Sequence, residues 1–197
     1  MMARIVSLRE ARRLMNNLHP TILRALVALV AGYGVDSSTK LSSCLSVSDR
    51  SSRRIISVLE GLGLVKTLSY GRKKVVLSVN KYVEKEVWRG MKLLAPYIID
   101  ELRLSYSRAS SNVDLVIKEM LEQLNVNIVP SRKLLLTVRK AIHEGLQRKP
   151  LPPWLKGIWG VKQMQERGMA MEIAKQHQPY PDTPYYGEVP TLAPFPD

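Results

Sequence analysis

Arg50, Arg53 and Arg54, interleaved with Ser48, Ser51 and Ser57, are the residues whose types and spacing point most directly to chemistry. An arginine fork donates paired hydrogen bonds to the edge of a guanine or to a phosphate, and serine hydroxyls bond phosphate oxygens. The chemistry implied is recognition of a polyanion. A second cationic group, Arg72, Lys73 and Lys74, follows Gly71. Long cations at the tip of a loop suit a minor groove or a row of phosphates. Thr39 and Lys40 complete the candidate set of contacts to double-stranded DNA. The plain alternative for the first group is a solvated arginine face.

The elements that must position these side chains can be read from periodicity. Ser52, Ile55, Ile56, Leu59 and Leu62 recur at three- and four-residue steps, which predicts a helix over residues 48–62 with its arginines outward. Ser48 is its expected N-cap, and Asp49 suits the positive end of the helix dipole. Just before it, residues 37–45 predict a short helix with Leu41 and Leu45 on one face, and Ser46-Val47 makes the turn. Earlier still, Ile22, Leu23, Leu26, Val27, Leu29 and Val30 predict an apolar helix that starts at Pro20, with His19 as a surface or capping residue. After Gly61 and Gly63 the pattern becomes extended. Residues 65–68 and 73–79 are rich in β-formers, and 69–72 supply the turn of a hairpin with a basic tip.

Three stretches carry a family resemblance: Leu41-Ser42-Ser43-Cys44-Leu45-Ser46-Val47-Ser48, Leu59-Glu60-Gly61-Leu62-Gly63-Leu64-Val65 and Gly71-Arg72-Lys73-Lys74-Val75-Val76-Leu77. The region resembles the winged-helix transcription regulators of bacteria and archaea, of the broad MarR, ArsR and PadR type. The resemblance implies a recognition helix at 48–62 and a wing at 66–77. Ser42 stands where that family usually has alanine, and Ser46 where it usually has glycine. The wing lacks the aspartate-x-arginine pair common in MarR proteins.

The fold class expected is mainly α with a small β-hairpin wing: a winged helix-turn-helix followed by a C-terminal helical extension. The segments are a basic amphipathic helix at 1–18, the winged helix-turn-helix at 19–79, a long helix at 80–109, a helical hairpin at 110–149, a tryptophan-containing helical segment at 150–177 and a proline-rich tail at 178–197. In the long helix, Val83, Val87, Met91, Leu94, Ile98 and Leu102 form an apolar stripe, expected to pair two copies as a homodimer or else to fold back on its own chain. Pro96 is expected to bend or break it. Residues 105–112 read as a polar connection. Trp154 and Trp159 are candidate docking residues for a partner protein or for the chain itself.

Charge supports a polyanionic partner. The 197 residues carry a net +13. Residues 35–82 hold nine lysines and arginines against three acids, or +6, whereas 178–197 hold three acids and no lysine or arginine, or −3. A single cysteine, Cys44, gives no internal disulfide and fits a reducing compartment, and three dispersed histidines offer no metal-ligand spacing. The arginines of the first eighteen residues add phosphate contacts or simply face water. No eighteen-residue apolar run exists, so no membrane span is expected and the location read is cytoplasmic or nucleoid-associated. There is no phosphate-binding glycine loop, zinc motif or nucleophile motif, so neither enzyme activity nor a cofactor is expected. The leading reading is a sequence-specific DNA-binding transcription regulator. A protein-assembly module and a DNA-organising or genome-maintenance protein remain as alternatives.

Overall fold

Polar caps punctuate this chain. In the computed structural model, which describes residues 7–71 and 73–159, the side chains of Ser7, Ser37, Ser48, Ser105 and Ser131 each accept a backbone N–H in the first turn of the helix that follows. His19 and Asn80 do the same with Nδ1 and Oδ1. Each such cap satisfies a donor that the helix cannot, and is worth roughly 1 kcal/mol. The helices so opened are α1 (Leu8–Met15), α2 (Pro20–Ala31), α3 (Ser38–Leu45), α4 (Asp49–Gly61), α5 (Lys81–Glu101), α6 (Tyr106–Ser111) and α8 (Arg132–His143). Two more, α7 (Val113–Gln123) and the single-turn α9 (Pro153–Lys156), lack a side-chain cap bond.

Among the described residues the fold is mainly helical, with one antiparallel hairpin of β1 (Val65–Tyr70) and β2 (Lys73–Val79). Tyr70, assigned from sequence to the turn, is instead the last paired residue of β1, opposite Lys73. Gly71, at φ +54, supplies the left-handed residue that a two-residue connection needs. The register shifts between Lys66 and Thr67, which leaves Leu77 without a partner and 62% exposed. The stretch before α3 also reaches the hairpin. Ser37 bridges Val75, and Val76 N donates to Asp36 O at 2.7 Å.

The long helix α5 sits at the centre of the remaining helices. Val83, Val87, Met91, Leu94 and Ile98 are all fully buried, packed by α1, α2, α7 and α8 of the same chain. The apolar stripe expected to pair two copies is therefore covered by its own chain, and the homodimer loses that interface. Nor does Pro96 break the helix. It is buried, and α5 continues as one element from Lys81 to Glu101, because apolar packing on both sides of the proline outweighs the lost backbone hydrogen bond. The polar connection expected at 105–112 holds α6, capped by Ser105, anchored by buried Ala109 and tied by the Tyr106 hydroxyl donating to Leu146 O at 2.6 Å.

A loop between α7 and α8 grips the first helices. Asn127 N donates to Cys44 O at 2.9 Å, Ser131 N to Ala31 O at 2.8 Å, and Tyr33 N to Val129 O at 2.7 Å. Arg24 Nε donates to Asn125 O at 2.9 Å, and burial pulls its pKa below the usual value. Among the described residues no helix is long and apolar enough to cross a membrane.

Candidate nucleic-acid interface

The outer face of α4 is made by what its inner face buries. Ser52, Ile55, Ile56 and Leu59 are packed against α2, α3 and the hairpin, and the polar Ser52 is tolerated there because its hydroxyl donates to Asp49 O at 2.9 Å. Burying these positions fixes the rotation of the helix. It leaves Arg50, Ser51, Arg54, Ser57 and Val58 exposed.

The entry to α4 is a tight turn. Ser46, the C-cap of α3, sits at φ 54 and ψ 42 in the left-handed region that glycine adopts without cost. Ser48 then caps α4, accepting Ser51 N at 3.1 Å, and its hydroxyl also bonds the Ser51 hydroxyl at 2.9 Å. Those two hydroxyls hold each other at the N-terminal edge of the exposed face.

The three arginines do not share one fate. Arg50 and Arg54 are exposed and have no ion-pair partner among the described residues. They are four residues apart, so they stand one above the other on one face. Arg53 folds back on the first turn, with Nη2 3.4 Å from Asp49 Oδ2 and Nε donating to Asp49 O at 3.2 Å, and its side chain is 37% exposed. The expectation of three arginines free for a duplex is corrected to two.

At the other end of α4, Glu60 draws in the hairpin. Its Oε2 accepts Lys74 Nζ at 2.9 Å, its Oε1 accepts the Thr67 hydroxyl, and Lys74 Nζ also donates to Ser57 Oγ at 2.9 Å. The Thr67 hydroxyl, and then Lys74, hold the Glu60 carboxyl below the usual carboxylate range. Lys74 is thus a brace between hairpin and helix, which corrects its assignment as a free tip cation, and Ser57 is engaged with it. Lys73 is exposed. Arg72 lies outside the described residues.

Lys40 is also occupied, donating to Gly34 O at 2.7 Å and pairing with Asp36 at 3.0 Å. Thr39 is exposed, and its carbonyl accepts the Ser42 and Ser43 hydroxyls. Two residues outside the expected set join the exposed face of the hairpin: Lys66, and Tyr70 at 69% exposure. Alternation along β1, with Lys66, Leu68 and Tyr70 on one side, is the signal that marks them.

Comparison with known proteins returns nothing: no family model, no curated protein and no solved structure matches this chain.

The tryptophans proposed for docking are turned inward. Trp154 is 1% exposed, its Nε1 donating to Glu86 Oε1 at 3.4 Å. Gly90 makes room for its ring, since a Cβ there would lie 2.5 Å from Trp154 Cζ2. Trp159 is half-buried. Its Nε1 donates to Gln123 Oε1 at 2.8 Å and its ring meets Tyr97 edge-on at 5.4 Å. Both dock on their own chain, the bland alternative for them. Residues 160–197, with the rest of the tryptophan segment and the proline-rich tail, and residues 1–6 of the N-terminal segment lie outside the described residues. Cys44 is half-buried, and burial pushes its thiol pKa up, away from nucleophilic thiolate. No cluster of metal-binding side chains occurs among the described residues.

Proposed function

We propose that residues 19–79 form a winged helix-turn-helix that binds double-stranded DNA, with α4 as the recognition helix in the major groove and the hairpin as the wing, and that the chain is a sequence-specific transcription regulator. One observation carries this reading: Arg50 and Arg54 stand exposed and unpaired one turn apart, on a helix whose opposite face is buried and whose entry is a left-handed turn. Supporting it are the order α2, α3, α4, hairpin, and the bridge from Ser37 to Val75 that ties the segment before α3 to the wing. Each arginine seated on a guanine edge contributes about 1–3 kcal/mol of discrimination against the wrong base.

The test is selection of bound duplexes from a random pool by the purified full chain, followed by sequencing. An enriched motif containing guanines a few base pairs apart is expected. Arg50→Ala with Arg54→Ala should weaken binding to that motif roughly a hundredfold. Full specific binding by the double variant overturns the assigned face. Binding without any enriched motif favours a DNA-organising role in place of regulation.

A further inference from the structure

Far from α4 in sequence, two arginines converge on one buried carboxylate. Arg12 Nε donates to Glu86 Oε2 at 2.8 Å and Arg89 Nη1 to Glu86 Oε1 at 2.8 Å, while Glu86 is 0% exposed. One carboxylate offsets one guanidinium, so this spot keeps a net positive charge. Each guanidinium carries five N–H groups in a planar fork. Each uses one here, and the others have no acceptor among the described residues. The two side chains remain 42% and 45% exposed and line a cleft of about 300 Å³, walled also by Asn16, Pro150 and Pro153. Asn16 Oδ1 is taken by Trp154 N at 3.2 Å, which leaves its Nδ2 to donate elsewhere. Apart from Glu86, the floor, no acidic side chain among the described residues lines the cleft.

We propose that this cleft binds a phosphate-type oxyanion, gripped by the forks of Arg12 and Arg89 with help from Asn16. Planar forks match the oxygens of a phosphate better than an ammonium does. Because Glu86 already holds both guanidiniums in position, little side-chain freedom is lost on binding. Arg9, Arg13 and Lys85, exposed on the same two helices, raise the local potential that draws an anion in. The phosphate belongs either to a small phosphorylated molecule or to a DNA backbone. No residue of the cleft lies on α4 or the hairpin, so the site stands or falls separately from the DNA-binding face.

The full chain, labelled with ¹⁵N, supplies the test. The Trp154 indole N–H, bonded to Glu86, is the local reporter, and the Trp88 indole N–H, bonded to Glu84 at 3.0 Å, is the internal control. Inorganic phosphate added at constant ionic strength against chloride should shift the Trp154 signal saturably and leave Trp88 still. Arg12→Lys keeps a cation beside Glu86 but removes the fork, and should weaken phosphate binding about tenfold. Arg89→Lys makes the same test should the first variant fail to fold. A duplex that shifts Trp154 even with Arg50→Ala and Arg54→Ala present marks a DNA phosphate as the natural ligand. Response to phosphate alone marks a small molecule. A Trp154 signal unmoved by phosphate, or equal affinity in every folded lysine variant, overturns the proposal. A lost duplex response at α4 with the phosphate response intact counts against the DNA reading alone.

Discussion

Helices α4 and α5 follow the same pattern of apolar residues at three- and four-residue steps, yet meet opposite surroundings. The shorter one is covered on one side only, by α2, α3 and the hairpin, and its remaining side faces water. The longer one is packed by four helices, and two of its four cations find acids: Arg89 bonds Glu86 at 2.8 Å and Lys92 bonds Glu144 at 2.6 Å, while Lys81 lies over the Tyr82 ring and Lys85 is exposed. On α4 the acids Asp49 and Glu60 stand at the two ends, and each captures one cation, Arg53 and Lys74. What is left between them is Arg50 and Arg54. The contrast teaches that a basic helix becomes a candidate binding surface through the cations its own acids cannot reach, not through the number it carries.

The contrast can be broken most forcefully from the α5 side. Trp154→Ala should cost about 3–5 kcal/mol of stability in urea unfolding, because it empties a site that Gly90 was needed to open. Gly90→Ala should cost about 1–3 kcal/mol by forcing that ring aside. Neither change touches α4, so folded protein should keep its affinity for the selected duplex. Next in size is a split among the arginines measured by fluorescence anisotropy. Arg53→Ala, which removes a side chain already tied to Asp49, should weaken binding by no more than about threefold, a small fraction of the loss expected when an arginine proposed to read a base is removed. Equal losses at Arg53 and Arg54 would erase the distinction drawn here. Smaller again, Ser46→Gly should stabilise the fold by about 0.5–1 kcal/mol, since glycine accepts the left-handed turn that serine tolerates.

The smallest effect compares one carboxylate from each region. Glu60 is held below the usual range by Thr67 and then Lys74, and Glu84 by Lys133 and then Trp88. A carboxyl depressed in the folded state stabilises it fully above its unfolded pKa of about 4.3, and that stability fades as pH falls through the lower folded value. Thr67→Val and Lys133→Met should each flatten the decline in melting temperature on acidification below about pH 4.3, the first without disturbing α5.

How much of this was visible in the amino acids alone depends on sequence separation. The limits of α4 were legible because its signals are local: Ser48 before the helix, the 52–55–56–59 repeat within it and the glycines after it. A turn at Ser46-Val47 follows from its position between two helices, whereas its left-handed backbone at Ser46 shows only in the structure. Lys74 was misread because its partner Glu60 is fourteen residues away, and contact depends on a register that shifts at Lys66 and Thr67. The inward turn of Trp154 was illegible for the same reason, since the acceptor Glu86 and the gap at Gly90 lie more than sixty residues upstream. The α5 stripe left two outcomes open, because an apolar face states that it will be covered but not by which chain.

The loop between α7 and α8 has a practical corollary. Its amide donors at Asn127 and Ser131 cap the carbonyls of Cys44 and Ala31, at the ends of α3 and α2. A fragment cut just after the hairpin would therefore carry the exposed face of α4 yet leave those helix ends frayed. Minimal-domain cloning that stops there should yield a floppier protein than the intact polypeptide, with amide exchange at the α3–α4 junction as the first symptom.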